Sequence, residues 1–466
     1  MKQSPRKVGL VASTVLALTM ALTVATASTA SADPPDLSSD LAINAYLVSI
    51  GVDPAEAVWQ RGLKNYAGPG CPGAGWNCVR ANAPIVQIAA PLGTNLFYCT
   101  GLDCVVVQVA LSGGQNGGAC DRTDKQSATA VQVCDITQAN DGNPNSSNNA
   151  TINQNIQQRN GPAQDARQVA RITQENTLGR NHAIIHQVIG QTQNARGGAS
   201  ITQSQEAHQA GTVEQLTTNG ANTSSIDQRQ KQSQRASGSS GLVTQKQNTD
   251  PGADFFCDQP ADDPDFDQEK NQCAEVLQNS SVVPATGGSI QSRLNQDITE
   301  SQAASNAGSV DQDQGTFPGG PGTPGGQGGT VVQNSSAPDD SDAIQNTLQV
   351  QRATGIAAGV SLGDQFKNTG DPRCCATQTV NPGSTADITQ TTNQFASSGD
   401  NAVQLASLQG DCNSSGTCNV EQSATVNGET TTNDCSGSFC HIVIECFSLG
   451  EGEGTACVAS EGGDLS

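Results

Sequence analysis

Apolar and polar residues alternate along most of this chain with a period of two. In "NHAIIHQ", residues 181–187, Ala183, Ile185 and Gln187 give a small residue, an aliphatic and a glutamine at i, i+2 and i+4. The triplet recurs at Ala83, Cys104, Cys134, Ala150, Ala170, Ala199, Gly211, Ser224, Gly241, Ala274, Ser292, Gly308, Gly329, Ala386 and Cys418, sixteen copies in all. None of the 48 triplet positions is charged, whereas nine of the 32 positions between them are. Segregating charge onto alternate residues is the mark of a half-buried strand, whose successive side chains point to opposite faces. The central residue is mostly β-branched, which suits strands.

Spacing shows what the strands do together. Successive triplet glutamines from 138 to 245 lie 16, 20, 13, 16, 12, 13 and 17 residues apart. One buried aliphatic contributes about 1.5–3 kcal/mol, less than ordering a dozen residues costs. Only stacking, each strand covering the next, makes the sum favourable. Glutamines stacked at about 4.8 Å have amides placed to hydrogen-bond along a ladder. Connections such as "NARGG" and "RASGSSG" supply turn residues. The expected fold is all-β: a repetitive β-solenoid of stacked strand-turn coils with a short N-terminal helical cap.

The Asn-x-Ala-x3-Gln pattern of Asn148-Ala150-Gln154 and Asn181-Ala183-Gln187 resembles the curlin half-motif of bacterial curli fibres. Asn222-Ser224-Gln228 and Asn306-Gly308-Gln312 carry it with a small-residue change. The resemblance implies a cross-β solenoid able to assemble into extracellular fibres. The opening segment resembles those of secreted actinobacterial proteins of unknown function.

The ends differ from the repeats. Residues 1–32 read as a signal peptide: Lys2, Arg6 and Lys7, an apolar run from Val8 to Val24, then Ala30-Ser31-Ala32. Cleavage moves the formal charge from -22 to -25. Residues 33–80 read as the helical cap. Ile43, Leu47 and Ile50 share one helical face, and Asp53, Pro54 and Glu56 look like the start of a second helix. Repeats fill 81–314, with an acidic disulfide insertion at 250–273. "GTFPGGPGTPGGQGG" (315–329) reads as a Gly/Pro-rich linker or loop, and 330–466 as a shorter, cysteine-rich repeat region.

Sixteen cysteines in a secreted chain point to disulfides. The neighbours are Cys71 and Cys78, Cys99 and Cys104, Cys120 and Cys134, Cys257 and Cys273, Cys412 and Cys418, Cys435 and Cys440, Cys446 and Cys457. Nearest-neighbour pairing is expected, except at the adjacent Cys374 and Cys375, which favour separate partners.

Candidate chemistry is sparse. Asp263, Asp265, Asp267 and Glu269 alternate in the insertion. Calcium is the sharp reading, but the loop glycine and distal glutamate of an EF-hand are missing, and a solvated acidic loop is the plainer one. His182 and His186 fall on the outer face of a strand, roughly 13 Å apart, too far to share an ion. His208 and His441 are isolated. There is no nucleophile elbow, P-loop or dinucleotide fingerprint, so the chain reads as a non-enzyme without cofactor. Its acidity argues against nucleic acid as a partner, and no segment after the signal peptide is long enough to span a bilayer. The expected function is that of a secreted structural or interaction protein of the cell surface or extracellular matrix, associating with itself or with an extracellular polymer and forming amyloid-like fibres. Two alternatives stay open: a monomeric adhesin or carbohydrate-binding solenoid, and a largely disordered Gln/Asn-rich secreted protein.

Overall fold

A computed structural model describes residues 39–462 except 50–51, 81–83, 102, 127, 141–142, 162, 219, 240–241, 248–271, 281–289, 306–308, 315–326, 335–339, 355–364, 368–375, 381–384, 398–402, 427 and 450–455. One helix, α1 (Asp40–Ser49), precedes β1 (Val58–Ala67), β2 (Asn77–Val79), β3 (Ile85–Cys99), β4 (Asp103–Ala110), β5 (Gln115–Gln126), β6 (Thr129–Asn140), β7 (Ser147–Arg159), β8 (Ala163–Asn176), β9 (Arg180–Arg196), β10 (Ile201–Thr217) and β11 (Ala221–Ser237). Then follow β12 (Leu242–Gln247), β13 (Gln272–Ser280), β14 (Ile290–Ser305), β15 (Ser309–Gln314), β16 (Gln327–Asn334), β17 (Asp340–Thr354), β18 (Gln365–Lys367), β19 (Ala376–Val380), β20 (Thr385–Ser397), β21 (Val403–Val426), β22 (Glu429–Leu449) and β23 (Ala456–Gly462).

The strands form a β-solenoid. Pairing skips the nearest neighbour in sequence: β7 pairs in parallel with β5 and β9, and β8 with β6 and β10. Two columns of strands result. Face A runs through β4, β6, β8, β10, β13, β16 and β19. Face B runs through β5, β7, β9, β11, β14, β17 and β20. A third, shorter column links the start of β10 to β12, β15, β18 and the start of β21.

The triplets set this register. Ala150, Ala183, Ser224 and Ser292 align on face B, as do Ile152, Ile185, Ile226 and Leu294. On face A, Ile136 aligns with Ile172, then Val213 and Val276. These aliphatics are fully buried and join in one core cluster. One coil therefore carries at least two triplets. It takes 36 residues from Gln138 to Gln174 and 41 from Gln187 to Gln228. A one-residue slip would turn each buried row outward, so the pattern locks the pairing.

The insertion separates β12 of the third column from β13 of face A, and the Gly/Pro-rich stretch separates β15 from β16 in the same way. Most of both lies outside the described residues. Strands on either side still pair directly, β13 with β16 and β14 with β17, so the stack continues across residues 315–326.

The N-terminal region departs from expectation. α1 forms as expected, with Ile43 and Leu47 buried. The second expected helix is instead strand β1, preceded by a turn in which Asp53 Oδ1 accepts from the Ala55 amide at 2.9 Å. The Asp-Pro start is real, but Trp59, Gln60 and Arg61 pair with Val86, Gln87 and Ile88 as a rung, and tertiary pairing overrides the local signal. α1 packs on the flank of the first rungs: Ile43 and Leu47 cover the outward side chains Val86, Val107 and Val109 of face A.

At the other end the pairing changes sense. β22 runs antiparallel along nearly all of β21, and β23 runs antiparallel to β22. The disulfides among the described residues gather at both ends. Cys99–Cys104 and Cys120–Cys134 lie on consecutive rungs, Cys99 aligned with Cys120 and Cys104 with Cys134. Cys412–Cys418 and Cys435–Cys440 repeat this at the C-terminal end, where Cys412 faces Cys440. Cys71–Cys78 precedes the first full coil, and Cys446–Cys457 crosses β22 and β23. Six neighbour pairs thus form as expected. Cys257, Cys374 and Cys375 lie outside the described residues.

Candidate functional site: amide ladders and two charged faces

The interior is defined by its amides. On face A, Gln87, Gln108, Gln138, Gln174, Gln215 and Gln278 each donate from Nε2 to Oε1 of the glutamine one rung earlier, at 2.7–2.8 Å. On face B, Gln187, Gln228 and Gln296 do the same back to Gln154, at 2.8–2.9 Å. The second N–H of each amide crosses the interior: Gln138 to Asn149 O at 3.1 Å, Gln174 to His182 O at 3.0 Å, Gln187 to Ala210 O at 2.9 Å. One side chain thus ties rung to rung and face to face. Buried amides need such partners, since an orphaned group costs about 1–3 kcal/mol.

Asparagines make a ladder of opposite sense. Asn65, Asn95, Asn116, Asn148 and Asn181 donate from Nδ2 to Oδ1 of the asparagine one rung later, ending at Asn222, at 2.8–3.0 Å. The half-motif asparagine and glutamine therefore hold the stack from opposite directions. The glutamine ladder begins at Gln60, whose Nε2 turns to the backbone of Tyr66 and Asn77. At the far end of the stack, in the face B column, Gln422 donates to Gln390 and to Ile442 O, and its Oε1 accepts nothing among the described residues.

Further glutamines outside the triplets extend the array. Gln158, Gln191 and Gln232 form one more ladder, and Gln164, Gln205 and Gln247 another. Their signal is the same alternation running past the triplet, as at Gln154-Ile156-Gln158. Three charged side chains are exceptions and point inward. Arg122 and Asp124 pair at 2.7 Å on β5, beyond the part of that strand covered by β3. Glu300 is 1% exposed and stands in register with Gln232.

Outward side chains carry the charge. On face B, His186 Nδ1 lies 3.1 Å from Asp227 Oδ2, and Arg229 binds the same carboxylate at 2.8 Å. Partial burial raises the Asp227 pKa, but the hydrogen bonds and charges of His186 and Arg229 outweigh it and hold the carboxyl below its usual value. Neighbouring Asp297 is pushed up, by desolvation first. On face A, beside α1, the Tyr46 hydroxyl meets Thr137 Oγ1 at 2.7 Å. Desolvation and then nearby Asp135 hold the Tyr46 phenol neutral well above its usual range. Asp135 Oδ1 has no hydrogen-bond partner among the described residues, and Oδ2 lies 3.7 Å from Arg171. Burial drives the Asp135 carboxyl up, with Arg171 opposing.

His182 and His186 sit outward and half-buried, as expected of strand residues. No group of three or more His, Cys, Asp or Glu suited to hold a metal occurs among the described residues. Asp263, Asp265, Asp267 and Glu269 lie outside them. No helix there is long and apolar enough to cross a membrane. Comparison with known proteins finds no matching family model, curated protein or solved structure.

Proposed function

We propose that the protein is a secreted structural or interaction protein of the cell surface or extracellular matrix. The observation that carries this reading is the pair of buried ladders running through consecutive coils. Such an interior is specified for rigidity and repetition. Disulfides at both ends fit an oxidising compartment. Removal of residues 1–32 and export belong to this reading, as does assembly into amyloid-like fibres of the curlin-like kind. Seeded growth with an amyloid-reporting dye, on the purified chain lacking residues 1–32, tests it. Time courses with a lag that seeds abolish are the expected result; a species that stays monomeric in every condition removes fibre assembly.

A second reading has its own support. The antiparallel β22 and β23 end the parallel stack with a different geometry, which suits a discrete particle displaying its outer faces, as an adhesin or carbohydrate binder would. Dose-dependent signal on a glycan array, with no assembly, would favour it.

A further inference from the structure

Along the central strands of the solenoid, β6 to β11 and β14, the two outer faces bear opposite charge. On face B, β11 presents Arg229, Lys231 and Arg235, all exposed, and β9 ends in exposed Arg180 and Arg196. Arg159 on β7 and Arg293 on β14 extend the row. Against these seven bases, the same four strands turn only two acids outward, Asp227 and Asp297, a net of +5. On face A, β6, β8 and β10 turn toward solvent four acids, Asp165, Glu175, Glu206 and Glu214, against Arg167 and Arg171, a net of -2, while Asp135 on the same side is buried. A chain of net charge -22 thus carries a cationic sheet face backed by an anionic one.

From this we infer that face B is a docking surface for a second copy of this chain, which presents its face A. Both surfaces are built on one strand spacing of about 4.8 Å, so charge rows on one copy meet rows of equal pitch on the next. Like charges are stacked within each face: Asp165 is in register with Glu206 on the adjacent rung, and Arg229 and Lys231 point the same way two residues apart. Asp165 pairs with Arg167 and Arg229 with Asp227 within the chain, and a partner of opposite sign adds to that compensation. A groove of about 340 Å³ between Arg196 and Arg235, floored by Ala236 and Ala304, gives a carboxylate side chain room to enter. The global acidity opposes contact only weakly, because charges more than about 8 Å apart are screened at physiological salt. Because the meeting surfaces are different, association is heterologous and continues copy by copy.

This inference rests on the structural reading above and adds the geometry of contact, side by side through the faces. Sedimentation velocity on the full chain lacking residues 1–32, at low and high sodium chloride, tests it. Expected are oligomers at low salt that dissociate at high salt. The variant Arg229→Glu/Lys231→Glu/Arg235→Glu is expected to be monomeric, as is Glu206→Lys/Glu214→Lys, while a mixture of the two associates again. Circular dichroism checks each fold; should the triple variant unfold, Arg196→Glu/Arg235→Glu replaces it. Assembly that ignores both salt and reversal overturns the lateral contact and leaves the structural reading standing. A monomer at low salt overturns the contact. So does a chain that stays single while binding polyglutamate through face B, which would put an anionic polymer in the partner's place.

Discussion

Gln187 shows how much rests on one side chain. It donates to Gln154 and to Ala210 O and accepts from Gln228. Gln187→Glu removes both N–H donors and places a charge in the core. We expect a loss of roughly 2–6 kcal/mol in urea unfolding, at about 1–3 kcal/mol for each orphaned group. Glu300→Gln runs the other way. In the column of Gln191 and Gln232 every amide donates backwards, and a carboxylate brings no N–H to continue the chain. Restoring the amide is expected to raise the melting temperature, by about 1–3 kcal/mol of added stability. Asp135 gives a pH signature. Its folded pKa is raised, so the stability it contributes is full below the ordinary value near 3.8 and is lost as pH rises through the folded value. Asp135→Asn should therefore stabilise the protein at neutral pH and make little difference in acid, read from unfolding curves across that window. Inward glutamines were legible in the sequence because a period of two needs no knowledge of partners. Asp135, Tyr46 and Thr137 were not, since their meeting depends on where a helix 91 residues away docks.

Among the elements, strands are readable and connections are not. Each triplet-bearing strand announces itself through the alternation, and the inward set extends beyond the triplet by the same rule. The region after α1 misleads because Asp53 and Pro54 begin a turn as readily as a helix, and only the pairing of β1 with β3 decides. A usable signal was present at "CVVVQV", residues 104–109: apolar residues at both the inward and the outward positions mean a strand covered on both sides, and α1 is what covers its outer side. Turns stack as tightly as strands. The Ala221 amide donates to Gly179 O at 3.2 Å, and a Cβ on Gly220 would land on that oxygen. Gly220→Ala should lower the melting temperature by displacing that turn, while Gly428→Ala, with open space around it but φ of 87°, should cost only backbone strain, about 1–2 kcal/mol.

At the level of the whole molecule, a stack held by nearest-neighbour contacts is weakest at its ends, where each coil has one neighbour instead of two. Staples between Cys99 and Cys104, Cys120 and Cys134, Cys412 and Cys418, and Cys435 and Cys440 sit in those terminal coils. Mild reduction is expected to raise amide hydrogen exchange first in residues 85–140 and 403–449 and to leave β7 to β11 protected. Uniform loss of protection would show instead that the coils unfold as one unit. The location of these four bridges could be read from cysteine spacing; their place in the terminal coils could not, because the sequence does not reveal which coil is last.

The alignment of Gln187 with Gln228 also makes the chain divisible. Excising 188–228 would join Gln187 directly to Arg229, the residue already in register with Val188. Inner rows and outer rows would both close up unbroken, and neither terminus would sense the loss. Length in such a protein is a count of interchangeable units, which replication slippage can shorten or extend without redesigning anything else.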